Sequence, residues 1–210
     1  MLKTLLVAFV TACSVPQPVT CQAIAEPIAL VSKADASAQV SSDAANAVFR
    51  SQRYIVAMMS LQYNVMANVV WEPCGEENSY FRNEPGNPTI ILCTEMAAHP
   101  GAAMMFAAHE MGHAVTIALA DIADESAADE IAMISMARYG FLKEMLDGAI
   151  YYLSDGMPLD HRPGDTHPGN GYRAWEFACV AAGADGGPPE CVELYHALTM
   201  KWDRRLLPRG

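Results

Sequence analysis

The strongest constraint on this chain is an apolar stretch, residues 102 to 120, whose few polar side chains include two histidines and a glutamate. A helix brings positions four apart onto one face, so His109 and His113 can present two imidazole nitrogens to a single ion. Glu110 lies about 100° further round the helix axis, beside such an ion rather than on it. The stretch therefore predicts a largely buried helix that carries a metal site.

The H-E-x-x-H spacing of this stretch is typical of catalytic zinc sites. Zinc lowers the pKa of a bound water to about 7, and Glu110 is placed to accept the proton and return it to a leaving amine. The alternative interpretation is two buried histidines that hydrogen-bond to the backbone. A third protein ligand would favour the zinc site, because catalytic zinc ions are held by three protein side chains.

Acidic residues follow the motif in the segment DESAADE, residues 124 to 130. Glu125 follows His113 by twelve residues, and a turn near residues 120 to 124 would return its carboxylate to the ion. Asp129, one helical turn further on, could accept the second ring N–H of a ligand histidine. Asp124 is the fallback ligand. The competing interpretation is a helix N-terminus enriched in acids to suit the helix dipole.

Length and charge exclude some classes of protein. The chain has 210 residues, of which 52% are apolar, and this suits one well-buried domain better than two. Its formal net charge is −11, and it has no basic run of the kind that binds phosphates. We therefore expect no nucleic-acid partner.

The N-terminus, residues 1 to 25, has a lysine, a short apolar run and then small residues, which is the pattern of a signal peptide. Cleavage after Ala25 competes with a bacterial lipobox that would place a lipid anchor on Cys13. Residues 26 to 42 are small and polar and are interpreted as a linker, which leaves 43 to 210 as the domain. The expected protein is exported, periplasmic or secreted, with no transmembrane span in the mature domain.

Four cysteines remain beyond the leader, an even number in a compartment where disulfides persist. Their spacing favours two local pairs, Cys74 with Cys93 and Cys179 with Cys191, although three pairings exist in principle. The C-x-x-C spacing of a zinc-binding cluster is absent from the sequence.

Hydrophobic periodicity predicts a mostly helical α+β domain. An amphipathic helical pattern begins at residue 43 and extends towards Trp71, followed by a turn-rich segment over residues 72 to 88. TIILC, residues 89 to 93, is the clearest strand. After the motif helix, helical patterns cover residues 124–139, 141–153, 172–182 and 190–206, and a long Gly/Pro-rich loop lies at 154–172. The expected sheet or hairpin is small and precedes the motif helix.

The order of these features resembles the gluzincin metallopeptidases, in which E-x-x-A-D follows H-E-x-x-H. More closely, it resembles a bacterial metallopeptidase-like family, domain of unknown function 4344. The likeness covers roughly residues 45 to 195. Its motifs here are CGEENSYF, IILCTEM, HEMGHA, Glu125 with Asp129, the D-x-H of residues 165–167, Arg173, Cys179 and Gly183.

The resemblance implies a zincin-like fold that binds zinc through His109, His113 and Glu125. It also implies that His167 donates to the oxyanion of a tetrahedral intermediate. Arg173 would orient a nearby acid. His161 and Tyr172 compete with His167 for its role. In zincins an edge strand pairs with an extended peptide, and Thr89 to Leu92 is in the corresponding place in the sequence.

We therefore expect an exported zinc metallopeptidase that acts on a protein or peptide. Two alternatives remain open. One is a non-enzymatic envelope or secreted protein that keeps zinc for stability and binds a partner through its acidic surface. The other is an amidase that acts on cell-wall peptides.

Overall fold

The computed structural model describes residues 42–84, 86–154, 160 and 167–206. The leader with Cys13, all but the last residue of the linker, and His161 and Asp165 lie outside the described residues.

The described residues form six α-helices and three strands, with a short 3-10 helix, Thr94–Ala98, before the motif helix. The α+β prediction is confirmed at this level. The helices are α1 Ser42–Tyr63, α2 Pro100–Ala120, α3 Glu125–Arg138, α4 Leu142–Tyr152, α5 Asn170–Ala184 and α6 Pro189–Leu206. The strands are β1 Asn68–Glu72, β2 Ser79–Arg82 and β3 Thr89–Cys93.

The first helix is shorter than its sequence pattern indicates. It ends at Tyr63, and Asn64 adopts a left-handed backbone with φ 53°, a conformation that asparagine tolerates and that stops a helix. The segment NVVWE that follows is β-branched and aromatic and forms β1 instead of more helix. A second strand, β2, lies inside the segment expected to consist of turns.

The three strands form one sheet in the order β1-β3-β2. β1 pairs parallel to β3, and β2 pairs antiparallel to it. The expectation that Thr89 to Leu92 form an edge strand is therefore wrong, because β3 is central and every one of its residues is buried. A continuous apolar run suits a strand covered on both faces, whereas an edge strand facing solvent usually alternates. The edge strands are β1 and β2.

Helix α2 is the centre of the molecule, since α1, α3 and α4 all pack against it. This position explains its composition, because a helix covered on most sides is apolar all round. The methionines near the motif fill the core. Buried members of this group are Met96, Met104, Met105, Met111, Met133 and Met136.

Two disulfides join the predicted cysteine pairs, Cys74 to Cys93 and Cys179 to Cys191. The first links the end of β3 to the segment after β1, and the second links α5 to α6. Gly183 allows α5 and α6 to approach closely enough for the second disulfide, because a Cβ on Gly183 would lie 2.1 Å from the backbone oxygen of Cys191. Among the helices that the structure describes, none has both the length and the apolar character needed to cross a membrane.

Candidate metal centre

A sharp turn after α2 makes the site, because it reverses the chain over residues 121 to 124. Asp121 ends the helix in the left-handed conformation with φ 54°, and the N–H of Ile122 donates to the carbonyl of Thr116 over 3.1 Å. Asp124 then begins α3 as its N-cap, accepting from the N–H of Ala127 over 2.9 Å. The turn that the sequence analysis required is present, and the Asp124 carboxylate is engaged as a cap.

Gly112, inside the H-E-x-x-H motif, sets how closely α2 and α3 approach. A Cβ at this position would lie 2.5 Å from the backbone oxygen of Ala128, well inside contact distance. Only glycine therefore permits the observed packing, which carries the first turns of α3 over the motif face. In the sequence, Gly112 differs from its neighbours only in being the one glycine between residues 102 and 120. A glycine inside a strongly apolar helix often marks a place where another backbone packs closely.

Three histidine side chains converge on one carboxylate oxygen of Glu125. The Nε2 atoms of His109 and His113 each lie 3.1 Å from Glu125 Oε2, and that of His167 lies 2.9 Å from the same atom. A carboxylate oxygen has two lone pairs, so it cannot accept fully from three N–H groups. Nitrogen and oxygen donors gathered around one point are instead the arrangement that a cation satisfies.

Two groups of donors at this centre are close enough to share an ion. One comprises His109, Glu110 and His113, the other His109, Glu125 and His167, and within each group the donor atoms lie within 4.8 Å of one another. A third group pairs Glu95 with Cys74 and Cys93, but those sulfurs are joined in a disulfide. The residues at the centre therefore fit a metal ion held by imidazole nitrogens and a carboxylate oxygen.

A buried ion pair holds the first motif histidine in place. His109 Nδ1 lies 2.8 Å from Asp129 Oδ1, and Arg173 donates to both oxygens of Asp129 over 2.7 and 2.8 Å. Burial opposes the charge of this aspartate, but the Arg173 and His109 charges outweigh it and lower the pKa of Asp129 to about 2. Because Asp129 is ionised, it accepts the Nδ1 proton of His109, which leaves Nε2 as the nitrogen that a metal ion would take.

The electrostatic environment of the centre favours positive charge. Burial alone would lower the pKa of His109, yet the carboxylates of Asp129, Glu125 and Glu110 raise it to about 9. Burial would likewise raise the pKa of Glu125, but hydrogen bonds to the three histidines hold it well below its usual range. A cation bound here would meet this negative potential.

Glu110 differs from the other acids at the centre. It is 6% exposed, and it makes no hydrogen bond with any part of the chain that the structure describes. Burial raises the pKa of its carboxyl, although the charges of His109 and His113 oppose the rise. A buried carboxylate without a hydrogen bond is costly unless it serves another purpose, such as receiving a proton from a bound molecule.

The centre opens into a cavity of about 690 Å³. β2 borders one side of it, and the ring of Phe81 stacks on that of His113 with centroids 6.0 Å apart. On another side, Tyr152 lines the cavity while the Arg173 guanidinium lies 4.4 Å from the centre of its ring. Phe81 and Tyr152 carried no distinguishing signal in the sequence, because their place depends on how distant elements pack.

His99, His196 and Tyr172 do not line the cavity at the centre. The Nε2 atom of His99 lies 3.2 Å from Oε1 of Glu77. His196 is exposed on α6, and the hydroxyl of Tyr172 donates to Glu176 over 2.8 Å.

Comparison with known proteins gives no relative for this arrangement. No family model matches the sequence, and no curated protein or solved structure matches it either. The function therefore has to be argued from the geometry of the site.

Proposed function

We propose that this chain is an exported zinc metallopeptidase in which His109, His113 and Glu125 hold the ion and Glu110 is the general base. One observation carries the proposal. The two motif imidazoles lie 3.1 Å from the Glu125 carboxylate, beside a buried Glu110 that makes no hydrogen bond to the described residues, and an open cavity leads to them. Membership of the gluzincins, and of domain of unknown function 4344 within them, is part of the proposal and rests on the motifs.

Zinc, when bound, supplies a Lewis acid that polarises a carbonyl and makes water a stronger nucleophile near neutral pH. Glu110 takes the proton of the attacking water and delivers it to the leaving amine. Its raised pKa suits this task, because a base that must also release a proton works best when its pKa lies near the working pH. Asp129, held by Arg173, fixes the orientation of His109 throughout.

The substrate would be an extended peptide beside β2. The cavity is bordered by residues 76 to 81, and β2 is an edge strand of the sheet. Main-chain groups on such an edge can pair with a peptide and bring a scissile carbonyl to the centre. This assigns to β2 the role that the sequence pattern suggested for β3. Export fits the two disulfides, since such bonds persist outside the cytoplasm.

The proposal is tested by comparing the wild-type chain with Glu110→Gln on a panel of unstructured proteins. Loss of the base should lower the rate of hydrolysis at least about a hundredfold, while zinc content and melting temperature stay close to wild type. Glu193→Gln, an exposed change on α6, is the control and should keep full activity.

Other outcomes have defined meanings. Hydrolysis that survives Glu110→Gln would show that the assigned base is wrong. A zinc-loaded wild type that cleaves no protein would favour the non-enzymatic alternative. Cleavage confined to cell-wall peptides would favour the amidase.

A further inference from the structure

We infer that His167 is a further protein ligand of the metal ion, so that three imidazoles and one carboxylate face it. This inference rests on the proposed zinc centre and extends its ligand set. It changes the role of His167, which the family resemblance assigns to the oxyanion.

His167 is as close to the Glu125 carboxylate as the two motif histidines are. His167 Nε2 lies 2.9 Å from Glu125 Oε2, as close as the Nε2 atoms of the two motif histidines, which lie at 3.1 Å. The ring centroids of His109 and His167 are 5.8 Å apart. By its distance to this carboxylate oxygen, His167 matches the two motif histidines, and its donor nitrogen lies within 4.8 Å of donor atoms of His109 and Glu125.

The direction of the His167 side chain does not suit an oxyanion donor. Such a donor must direct its N–H at the substrate oxygen, about 2.7–3.1 Å away. In the structure its Nε2 is directed at the ligand carboxylate instead. An N–H held by a ligand carboxylate is not available to a substrate, whereas a nitrogen lone pair at the same place is a metal donor.

The backbone beside His167 is anchored to the centre. His167 comes two residues before the N-cap of α5, Gly169, whose carbonyl accepts from the N–H of Arg173 over 3.1 Å. Arg173 in turn pairs with Asp129, which bonds to His109. The same buried network that orients one ligand therefore also fixes the start of the helix that brings in His167.

The three histidines differ in how exposed they are and therefore in how easily each could leave the ion. A tetrahedral zinc site with four protein ligands is closed, whereas catalysis requires an open position or a fifth ligand. The side chain of His167 is 44% exposed, against 4% for His109 and 12% for His113, and it lies outside the helices. His167 is therefore the ligand that can leave when a substrate carbonyl enters.

The test is the zinc affinity of the full chain, stripped of metal and titrated against a competing chromophoric chelator. His167→Asn keeps a hydrogen-bond donor but is a poor zinc ligand. It should weaken binding at least about tenfold, because even outer contacts of a metal site change affinity by 10–100-fold. His113→Asn is the positive comparison, and His196→Asn, exposed on α6, is the matched control that should bind as wild type.

Cobalt(II) provides an independent readout, since its visible absorption reports the number and type of ligands. We expect His167→Asn to alter this spectrum and His196→Asn to leave it unchanged. Circular dichroism of the metal-free variants checks the fold, and His167→Gln replaces His167→Asn if the latter unfolds.

Failure of this inference and failure of the proposed function look different. If His113→Asn weakens zinc binding while His167→Asn keeps wild-type affinity and cobalt spectrum, His167 is not a ligand and the peptidase proposal stands. If the wild-type chain binds no zinc, both are overturned.

Discussion

Among individual residues, Asp129 and Arg173 form a buried ion pair that affects both the stability of the fold and the candidate site. The side chains are 2% and 7% exposed, so each charge depends on the other. Removing one partner of a buried pair leaves the other charge without compensation, which costs about 3–5 kcal/mol. The pair therefore ties the stability of the fold to the orientation of His109.

We predict that Asp129→Asn lowers the free energy of unfolding by about 3 kcal/mol, measured by urea denaturation of the metal-free chain. Asp203→Asn provides the control, because its partner Arg138 is 23% exposed and Asp203 is 36% exposed. Ion pairs that are exposed to this extent contribute about 1 kcal/mol or less to the free energy of unfolding. Equal losses in the two variants would contradict the account.

Glu176, on α5, predicts a pH dependence of stability. Burial raises the pKa of this carboxyl to about 7, although the hydroxyl of Tyr172 opposes the rise. In the unfolded chain the pKa is about 4.3, so the folded state binds the proton more tightly. The contribution of this proton to the stability of the folded chain is complete below about pH 4.3. It is lost as the pH rises to 7.

Glu176→Gln should therefore stabilise the chain relative to wild type at pH 8 by about 1–3 kcal/mol, with little difference near pH 4.5. Urea denaturation of both proteins across this range measures the effect. Glu193→Gln, which is exposed, should show no such trend. If the difference in stability between Glu176→Gln and wild type did not change with pH, burial would not raise the pKa of the Glu176 carboxyl.

At the level of elements, the contact of α2 with α3 decides whether Glu125 reaches the motif. The contact is made at Gly112 and Ala128, where no side chain separates the helices. Helix packing thus converts a spacing of twelve residues between His113 and Glu125 into a 3.1 Å approach.

Gly112→Ala should push these helices apart, lower the free energy of unfolding by about 1–3 kcal/mol and weaken zinc binding. Gly148→Ala is a matched control, because its Cβ would also clash, 2.3 Å from Met105 Sδ, but on α4. It should lower stability and leave zinc affinity unchanged. The same loss of zinc affinity in both variants would show that Gly112 has no special part in forming the centre.

The sequence predicted helices better than strands, for physical reasons. The later helices are long, and signals such as the Asp124 cap mark their ends. β1 and β2 have only five and four residues, and β1 follows a helix whose apolar pattern runs into it. The order of the strands depends on contacts distant in sequence, although the continuous apolar run of β3 was a signal for a strand covered on both faces.

Across the whole molecule, the candidate site combines near and distant parts of the chain. The motif histidines, Glu125 and Asp129 were predictable because helical spacing and one turn relate them. His167 and Arg173 reach the centre from α5 and the segment before it, and the sequence associated them with the site only through a family resemblance. The β2 edge and the cavity follow from packing alone.

The central claim is that this assembly binds zinc, and metal analysis of the purified, folded chain tests it most directly. We predict one zinc ion per chain for the wild type and its loss in the double variant His109→Ala/His113→Ala. A folded wild-type chain that holds no stoichiometric zinc, even after incubation with the metal and removal of the excess, would contradict the account.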